Sequence, residues 1–317
     1  MSVDVIIPTF QPKQRFLDLI ERLEHQTMPV GRIIIKNTQI EEFEKRISIP
    51  SFLQAHPKVS LSHVPKAQFD HGATRQQGVE ESQADYFICM TQDALPQDDF
   101  LVERLIAALT ERRDVAAAYA RQLPEADCNP IERYTRAYNY PDRSGVRTVK
   151  DLPVLGIRTF YCSNVCAAYR RDVFDKLGGF VFPTVFNEDM IYAARAVKAG
   201  YAVAYAADAM VVHSHNYTVR QLFSRNFDLG ISHAQYPEIF VDVPPEGEGI
   251  RLVGRTARYL LQEHPLLLPK LFCQSAAKLA GYRLGKAYRR LPLFLVRRCS
   301  LQKEHWTAGR EIFDGDR

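Results

Sequence analysis

No stretch of this chain approaches the roughly 20 consecutive apolar residues of a helix that crosses a bilayer. The C-terminal runs Leu266–Leu268 and Leu291–Val296 are far too short. The opening residues, MSVDVIIPTF, lack the basic start and long apolar core of an export signal. Tryptophan is nearly absent, with one copy at Trp306. The six cysteines (Cys89, Cys128, Cys162, Cys166, Cys273 and Cys299) are scattered, with no CxxC pair. Cys162 and Cys166 are four apart, but no second Cys/His pair completes a structural zinc site. Without an export signal a disulfide framework is not expected either. Cys89 and Cys166 sit inside apolar runs, where cysteine acts as a small hydrophobe. No repeat or low-complexity tract is present. These absences leave a soluble or peripheral protein as the expectation.

What is there is enough for a sizeable core. The chain has 317 residues, 46% of them hydrophobic, which fits one large domain with an appendage. The net charge of +4 conceals an asymmetry. Residues 251–300 hold eleven Lys/Arg and one acid, Glu263, for +10, while the remainder holds 30 bases and 36 acids, for −6. An ordinary, slightly acidic body thus carries a strongly basic tail.

Strand and helix patterns alternate through the first 120 residues. Val3–Ile7 is a short apolar run that reads as a buried strand. After Pro12, Phe16, Leu19, Ile20 and Leu23 recur at the spacing of one helix face. Strands follow at Arg32–Lys36, Val59–His63, Tyr86–Met90 and Val115–Ala120. Helices follow at Gly72–Ser82 and after Pro96, the latter with Phe100, Leu101, Leu105, Ile106 and Leu109 on one side. This rhythm predicts a Rossmann-like, mostly parallel sheet with helices on both faces. Ligands in such sheets bind beyond the carboxyl ends of the strands, so the residues there to watch are Thr9, Asn37 and Asp93. The second half is less regular. Pro130–Tyr138 reads as a short helix, Asn139–Thr159 as a mobile loop, Phe160–Tyr169 as strand-like, and Asp172–Leu177 as a helix capped by Gly178-Gly179. A helix starts near Glu188, Tyr201–Ala206 and Met210–His213 read as two strands, and a helix spans about Val219 to Ile231. Helical, basic sequence follows from Ile250. We divide the chain into an α/β domain, 1–235, and a basic, mainly helical region, 236–317.

The order of VIIPTF, DHGATRQQG (70–78), TQDALP (91–96), YCSNVCAAYRRDVF with its GGF, and NEDM (187–190) resembles the inverting glycosyltransferases of family 2, which have the GT-A fold. The resemblance covers roughly residues 3–230. HGATR, TQDA and VVHSHNY together look most like the rhamnosyltransferase branch, as does AGYRLGKAYRRLP in the tail. It implies sugar transfer from a nucleotide-sugar donor, dTDP-L-rhamnose being favoured and a UDP-hexose the alternative. The implied acceptor is a lipid-linked surface-polysaccharide intermediate.

That chemistry needs a cation for the departing diphosphate, a base for the acceptor hydroxyl, and a pocket aligning the two. Asp93, after a strand, is the candidate ligand for Mn²⁺ or Mg²⁺; relatives often have two or three acids here, this chain one. The resemblance implies that His213 or His215 completes the site, and His213 is our choice. In a continuing strand both would face one side, whereas a turn would part them. Asp189, at a helix start beside Glu188, is the implied catalytic base. Pro8, Thr9, Gln11, Asn37, Arg75, Gln92 and Arg225 are donor candidates, with Arg225 the weakest in motif. Tyr161, Ser163, Asn164 and Glu188 are acceptor candidates.

The tail combines its eleven cations with Leu260, Leu261, Leu266–Leu268 and Leu271, and reads as binding an anionic membrane surface. Its aromatics, Tyr259, Phe272, Tyr282, Tyr288 and Phe294, fall at apolar positions like core residues, which argues against nucleic acid. Helical packing or a homodimer is the alternative. The expected location is the cytoplasmic side, peripheral at the cell membrane. A nucleotidyltransferase would need a glycine-rich loop after the first strand, and PTFQPKQR has no glycine. A non-catalytic scaffold of the same fold remains as a further reading.

Overall fold

A computed structural model describes residues 1–241, 243 and 246–306; the end of the basic segment, 307–317, lies outside the described residues. Among the described residues, nine strands form one sheet. They are β1 (Val3–Thr9), β2 (Ile33–Thr38), β3 (Val59–Val64), β4 (Tyr86–Met90), β5 (Leu95–Pro96), β6 (Val115–Leu123), β7 (Gly145–Arg147), β8 (Cys166–Arg170) and β9 (Ala202–Val212). Their order is β3-β2-β1-β4-β8-β6-β9-β5, with β7 paired to β9. β1 to β4 run parallel, as do β6 and β9, while β8 lies antiparallel between β4 and β6. The chain is α/β with a mostly parallel sheet, as its rhythm predicts.

The apolar strands are continuous runs because both faces of the sheet are covered. Period-two alternation divides them. Val5, Ile7, Ile33, Ile35 and Ile88 face one core with helices Gln14–Glu24 and Leu101–Thr110. Ile6, Ile34, Phe87 and Cys89 face the other, with Ile191, Tyr192 and Val197 of helix Glu188–Lys198. The helix before β2 buries Phe16, Leu19, Ile20 and Leu23 as the spacing requires. Phe100 does not join its neighbours in the core: it caps its helix, exposed, beneath the Arg104 guanidinium.

Three readings of the second half are corrected. Residues 139–159 are not one loop: β7 pairs with β9, a Thr148–Asp151 capping box opens a 3₁₀ turn, and Leu152–Leu155 adds a helical turn. Polar, turn-rich sequence here encodes short capped elements. The two strands expected at 201–213 are one, β9, whose pairing with β6 jumps from Ala206 to Met210. The exposed Asp208 in that bulge mimics a turn. The strand expected from Phe160 begins only at Cys166 (β8), and Tyr161–Asn164 turn toward helix Glu188–Lys198 instead.

The basic region packs on the body through close helix contact. Helix Val219–Gln235 meets helix Leu268–Lys286 at glycines, where a Cβ on Gly285 would stand 2.1 Å from the Phe227 carbonyl oxygen and one on Gly230 2.3 Å from that of Tyr282. Two of the tail leucines, Leu260 and Leu271, are buried with Ile131, while Leu261 and Leu266 are exposed. Tyr282 and Tyr288 are buried, but Phe272 and Phe294 face solvent, contrary to a core role for all five aromatics. Trp306 is buried against Tyr288 in a satellite cluster.

Backbone oxygens in two packed helices cannot yield to a new methyl group. Gly285→Val is therefore expected to cost about 3 kcal/mol or more, at the upper end of overpacking. Gly254→Ala, whose Cβ meets nothing within 4 Å, is expected to stabilise by up to about 1 kcal/mol through helix propensity. Denaturant midpoints of the two variants check both signs.

Candidate active site

The first cluster forms where β4 and β9 end. β5 follows Asp93 at once and pairs antiparallel with β9, Leu95 opposite Val212 and Pro96 opposite Val211. Continuing that register backward runs Asp93 past residues 213–215. Arg15 fastens the crossing, donating from Nε to the Asp93 carbonyl at 2.6 Å and from Nη2 to that of Val212 at 2.7 Å. As a result Asp93 Oδ1 lies 3.6 Å from His213 Nε2, and Oδ2 lies 3.4 Å from His215 Nε2. One ligand atom from each of the three residues falls within 4.8 Å of the others. The question of which histidine faces the cleft thus has the answer that both face Asp93.

The tautomer of His213 follows from its neighbours. Gln122 donates its amide NH₂ to Tyr140 Oη at 2.5 Å and Ser163 Oγ at 3.1 Å, and its Oε1 accepts from Arg136. That oxygen lies 3.2 Å from His213 Nδ1, which must therefore donate to it. The Nε2 lone pair then points at a carboxylate. Burial pushes the His213 pKa down to about 3 and lowers that of His215, so both rings are neutral. Two neutral imidazoles and a carboxylate converging in this way are a donor set that suits a divalent cation. The residues present fit such an ion.

The second cluster forms at the start of helix Glu188–Lys198, whose N-cap Asn187 has φ 77°. Asp189 Oδ2 accepts from the Asn164 backbone N–H at 2.8 Å and Oδ1 from that of Met190 at 2.7 Å. The neighbouring Glu188 is buried, with Arg75 Nη1 at 2.9 Å and Asn164 Nδ2 at 2.9 Å. Burial opposes the Glu188 charge, but the Arg75 guanidinium outweighs it and holds the carboxyl below its ordinary range. Asp189 has no cation of its own. Burial, and then the Glu188 charge, push its pKa up to about 7.

A path of contacts joins the clusters: Asp93 faces His213, His213 donates to Gln122, Gln122 donates to Ser163, and the next residue, Asn164, holds Asp189. Tyr161 borders the same path through its 2.7 Å contact with Tyr140. The Arg225 guanidinium lies over the rings of Phe186 and Tyr217 at 4.8 and 5.7 Å. Its charge bears on His71 near one cluster and on His213 and His215 of the other.

The remaining donor candidates line the far end of the sheet. Thr9, Asn37 and His63 stand side by side at the ends of β1, β2 and β3. Asn37 is fully buried, and its Nδ2 meets the Gln39 carbonyl and His63 Nδ1, while Oδ1 has no partner. Pro8 is partly exposed beside Thr9, and Gln11 turns toward Glu42, donating to it at 2.8 Å. Gln92 grips the Phe10 backbone from both sides, at 2.9 and 3.0 Å, which ties this end to Asp93. Arg75 is committed to Glu188 beneath the site rather than held at its mouth.

Several residues escaped the sequence reading. Gln122 ends β6, and the same strand-end rule would have singled it out. Arg15, Arg136 and Tyr140 carry no signal, since each is defined by partners remote in sequence. His71, one turn before Arg75, is half-buried and held neutral, its pKa driven down to about 4 by desolvation. Its Nε2 lies 2.9 Å from the side chain of Gln302, so the segment after Ser300 reaches back to the catalytic body, where Glu304 also pairs with Lys66 at 2.7 Å.

Comparison with known proteins matches this geometry to a lineage. The family model described as "Glycosyl transferase family 2" matches residues 4–178. The chain is 36% identical over 308 residues to the O-antigen chain rhamnosyltransferase RfbN of Salmonella typhimurium, with 96% of each chain covered. It is 35% identical over 308 residues to the O-antigen chain rhamnosyltransferase WbaN of Salmonella anatum, again with 96% coverage of each. Among solved structures, the mannosyltransferase PcManGT from Pyrobaculum calidifontis, in complex with GDP-Man and Mn²⁺, superposes with TM-score 0.56 at 16% identity, covering 96% of this chain and 85% of that one. TarS of S. aureus gives 0.51 at 12% identity, with 92% of each covered. These likenesses concern the fold. On the family match and the two full-length relatives, the chain is a glycosyltransferase and belongs to glycosyl transferase family 2.

Proposed function

We propose that the protein transfers L-rhamnose from dTDP-L-rhamnose, with inversion, onto a hydroxyl of a lipid-linked bacterial surface-polysaccharide intermediate, working at the inner face of the cell membrane. The grouping of Asp93 with both histidines, and the path from His213 through Gln122 and Ser163 to the Asn164 that holds Asp189, support this reading. The donor and acceptor classes rest on the two rhamnosyltransferase relatives. Asp189 takes the proton from the acceptor hydroxyl as its oxygen attacks the anomeric carbon. The bond from that carbon to the diphosphate oxygen breaks, and dTDP leaves. Asp93, His213 and His215 would hold Mn²⁺ or Mg²⁺, which neutralises charge developing on the diphosphate. Arg225, fixed on two aromatic rings, supplies positive charge between the clusters. Asn164 orients the base by its backbone N–H, and Thr9, Asn37 and Gln92 shape the nucleoside end. Tyr161 and Ser163 border the acceptor side.

Asp189→Asn is expected to retain the fold and lose transfer by about 10²- to 10⁴-fold, the range of a general base. Unchanged turnover in that variant, with circular dichroism intact, would remove Asp189 from the chemistry. Chelation, or Asp93→Asn, is expected to abolish transfer and the thermal stabilisation that dTDP-rhamnose with Mn²⁺ produces in a shift assay. The same assay across UDP-glucose, UDP-galactose, UDP-N-acetylglucosamine and GDP-mannose tests the donor.

The pH profile follows from the Asp189 shift. A base must be ionised, so with its pKa at about 7 the rate rises with pH through neutrality and levels off above it. Glu188→Gln removes the neighbouring negative charge and leaves the Arg75 charge uncompensated. Both changes favour ionised Asp189, so the acidic limb is expected to move to lower pH in a kcat/KM profile. A shift to higher pH contradicts the assignment.

A further inference from the structure

Helix Leu268–Lys286 is apolar on the side that no described residue covers. Its buried face is Leu271, Gln274, Gly281, Tyr282 and Gly285, against the helices of the body. The opposite face is Phe272, Ala276, Leu279 and Arg283, which follow one another at helical spacing, with Leu284 beside them. Phe272 is 58% exposed and Leu279 44%. A soluble helix ordinarily turns polar residues outward, and this one carries no acid at all. At about 1.5 Å per residue the 19-residue helix runs about 28 Å.

The cations gather at its C-terminal end. Arg283, Lys286, Arg289 and Arg290 line one open cavity of about 320 Å³. Just beyond, helix Leu293–Cys299 exposes Phe294, at 68%, with Arg297 and Arg298. Among the described residues, no ion pair involves Arg283, Lys286, Arg290, Arg297 or Arg298. Exposed aromatics flanked by cations, on a body that is otherwise net negative, match a surface with apolar depth and anionic headgroups.

We propose that this face is a membrane-docking surface: Phe272, Leu279 and Phe294 enter the headgroup boundary of an anionic bilayer while the Arg283–Arg290 cluster takes lipid phosphates. No helix among the described residues is long and apolar enough to cross a membrane, so attachment is interfacial and reversible. The inference deepens the proposed lipid-linked acceptor and takes its purpose from that reading. Its physical content stands apart, because docking needs neither donor nor acceptor.

The test is flotation of the full chain with vesicles of equimolar phosphatidylglycerol and phosphatidylcholine, against phosphatidylcholine alone, with no substrate present. Binding is expected to the anionic vesicles only, and to fall at least tenfold in about 1 M salt, where the screening length is about 3 Å. The variants R283E/K286E/R290E and F272S/L279S are each expected to weaken it at least tenfold while keeping the wild-type melting temperature. F294S alone, distant from the helix packing, serves as a second apolar variant should the double change unfold the chain. Equal binding to neutral vesicles, no binding to either, or variants that bind like wild type would overturn the proposal. So would light scattering that shows a dimer which F272S/L279S converts to a monomer with vesicle binding unchanged, since the face would then belong to a second copy. Loss of docking with donor hydrolysis intact separates this inference from the catalytic one.

Discussion

The ion pair between Arg75 and Glu188 sits under the whole site. Both side chains are about 5% exposed, and removing two charges from water costs several kcal/mol per ion unless geometry and further hydrogen bonds offset it. Here they do so in part: Glu188 also accepts from Asn164, and Arg75 also meets the backbone and ring of His71. One Arg75 donor, Nε, is left without a partner. Such a pair is weak evidence for stability, but it is strong as a locator. Arg75 belongs to the helix packed on β1, and Glu188 to the helix that opens the second half. Their contact joins the β1 side of the sheet to the side that carries Asp189. It also sets the electrostatics, because a charge fixed on Glu188 makes a second charge on the adjacent residue costly.

The other cluster solves an opposite problem. At Asp93, His213 and His215 the chain brings together a carboxylate and two neutral imidazoles, and among the described residues no Lys or Arg pairs with Asp93. Arg15, the nearest guanidinium to that crossing in the hydrogen-bond pattern, is spent on the carbonyls of Asp93 and Val212 and on Glu125. Gln122 fixes the orientation of one imidazole from behind. Buried charge is paired within the protein in one cluster, the half-exposed Asp93 meets two neutral imidazoles in the other, and the hydrogen bonds of Gln122 and Ser163 link the two.

Much of the body was legible because both its periods are local. Strands covered on both faces require unbroken apolar runs, and Val3–Ile7 and Tyr86–Met90 have them. A helix on the sheet requires Phe16, Leu19, Ile20 and Leu23 at their spacing. The rule that ligands lie beyond strand ends placed Thr9, Asn37 and Asp93 without any partner being known. Reading failed where pairing across the sheet decided the outcome. A bulge at Ala207–Ala209 hid the continuity of β9, and the short elements within 139–159 draw their order from β9 and from a capping box. On the tail, leucines of equal hydrophobicity divided between core and solvent according to which side of the helix met Ile131.

The sequence alone determined the α/β rhythm, the basic tail and the residue types at each strand end, because these depend on neighbours within a few positions. It could not say that β5 would cross β9 and carry Asp93 between two histidines, nor that Arg75 would be turned inward to Glu188. It also could not show that the C-terminal segment would return to His71. Those outcomes depend on backbone register and burial between segments up to 231 residues apart. Register and burial are properties of the packed sheet and helices, and they come into being only when the chain closes on itself.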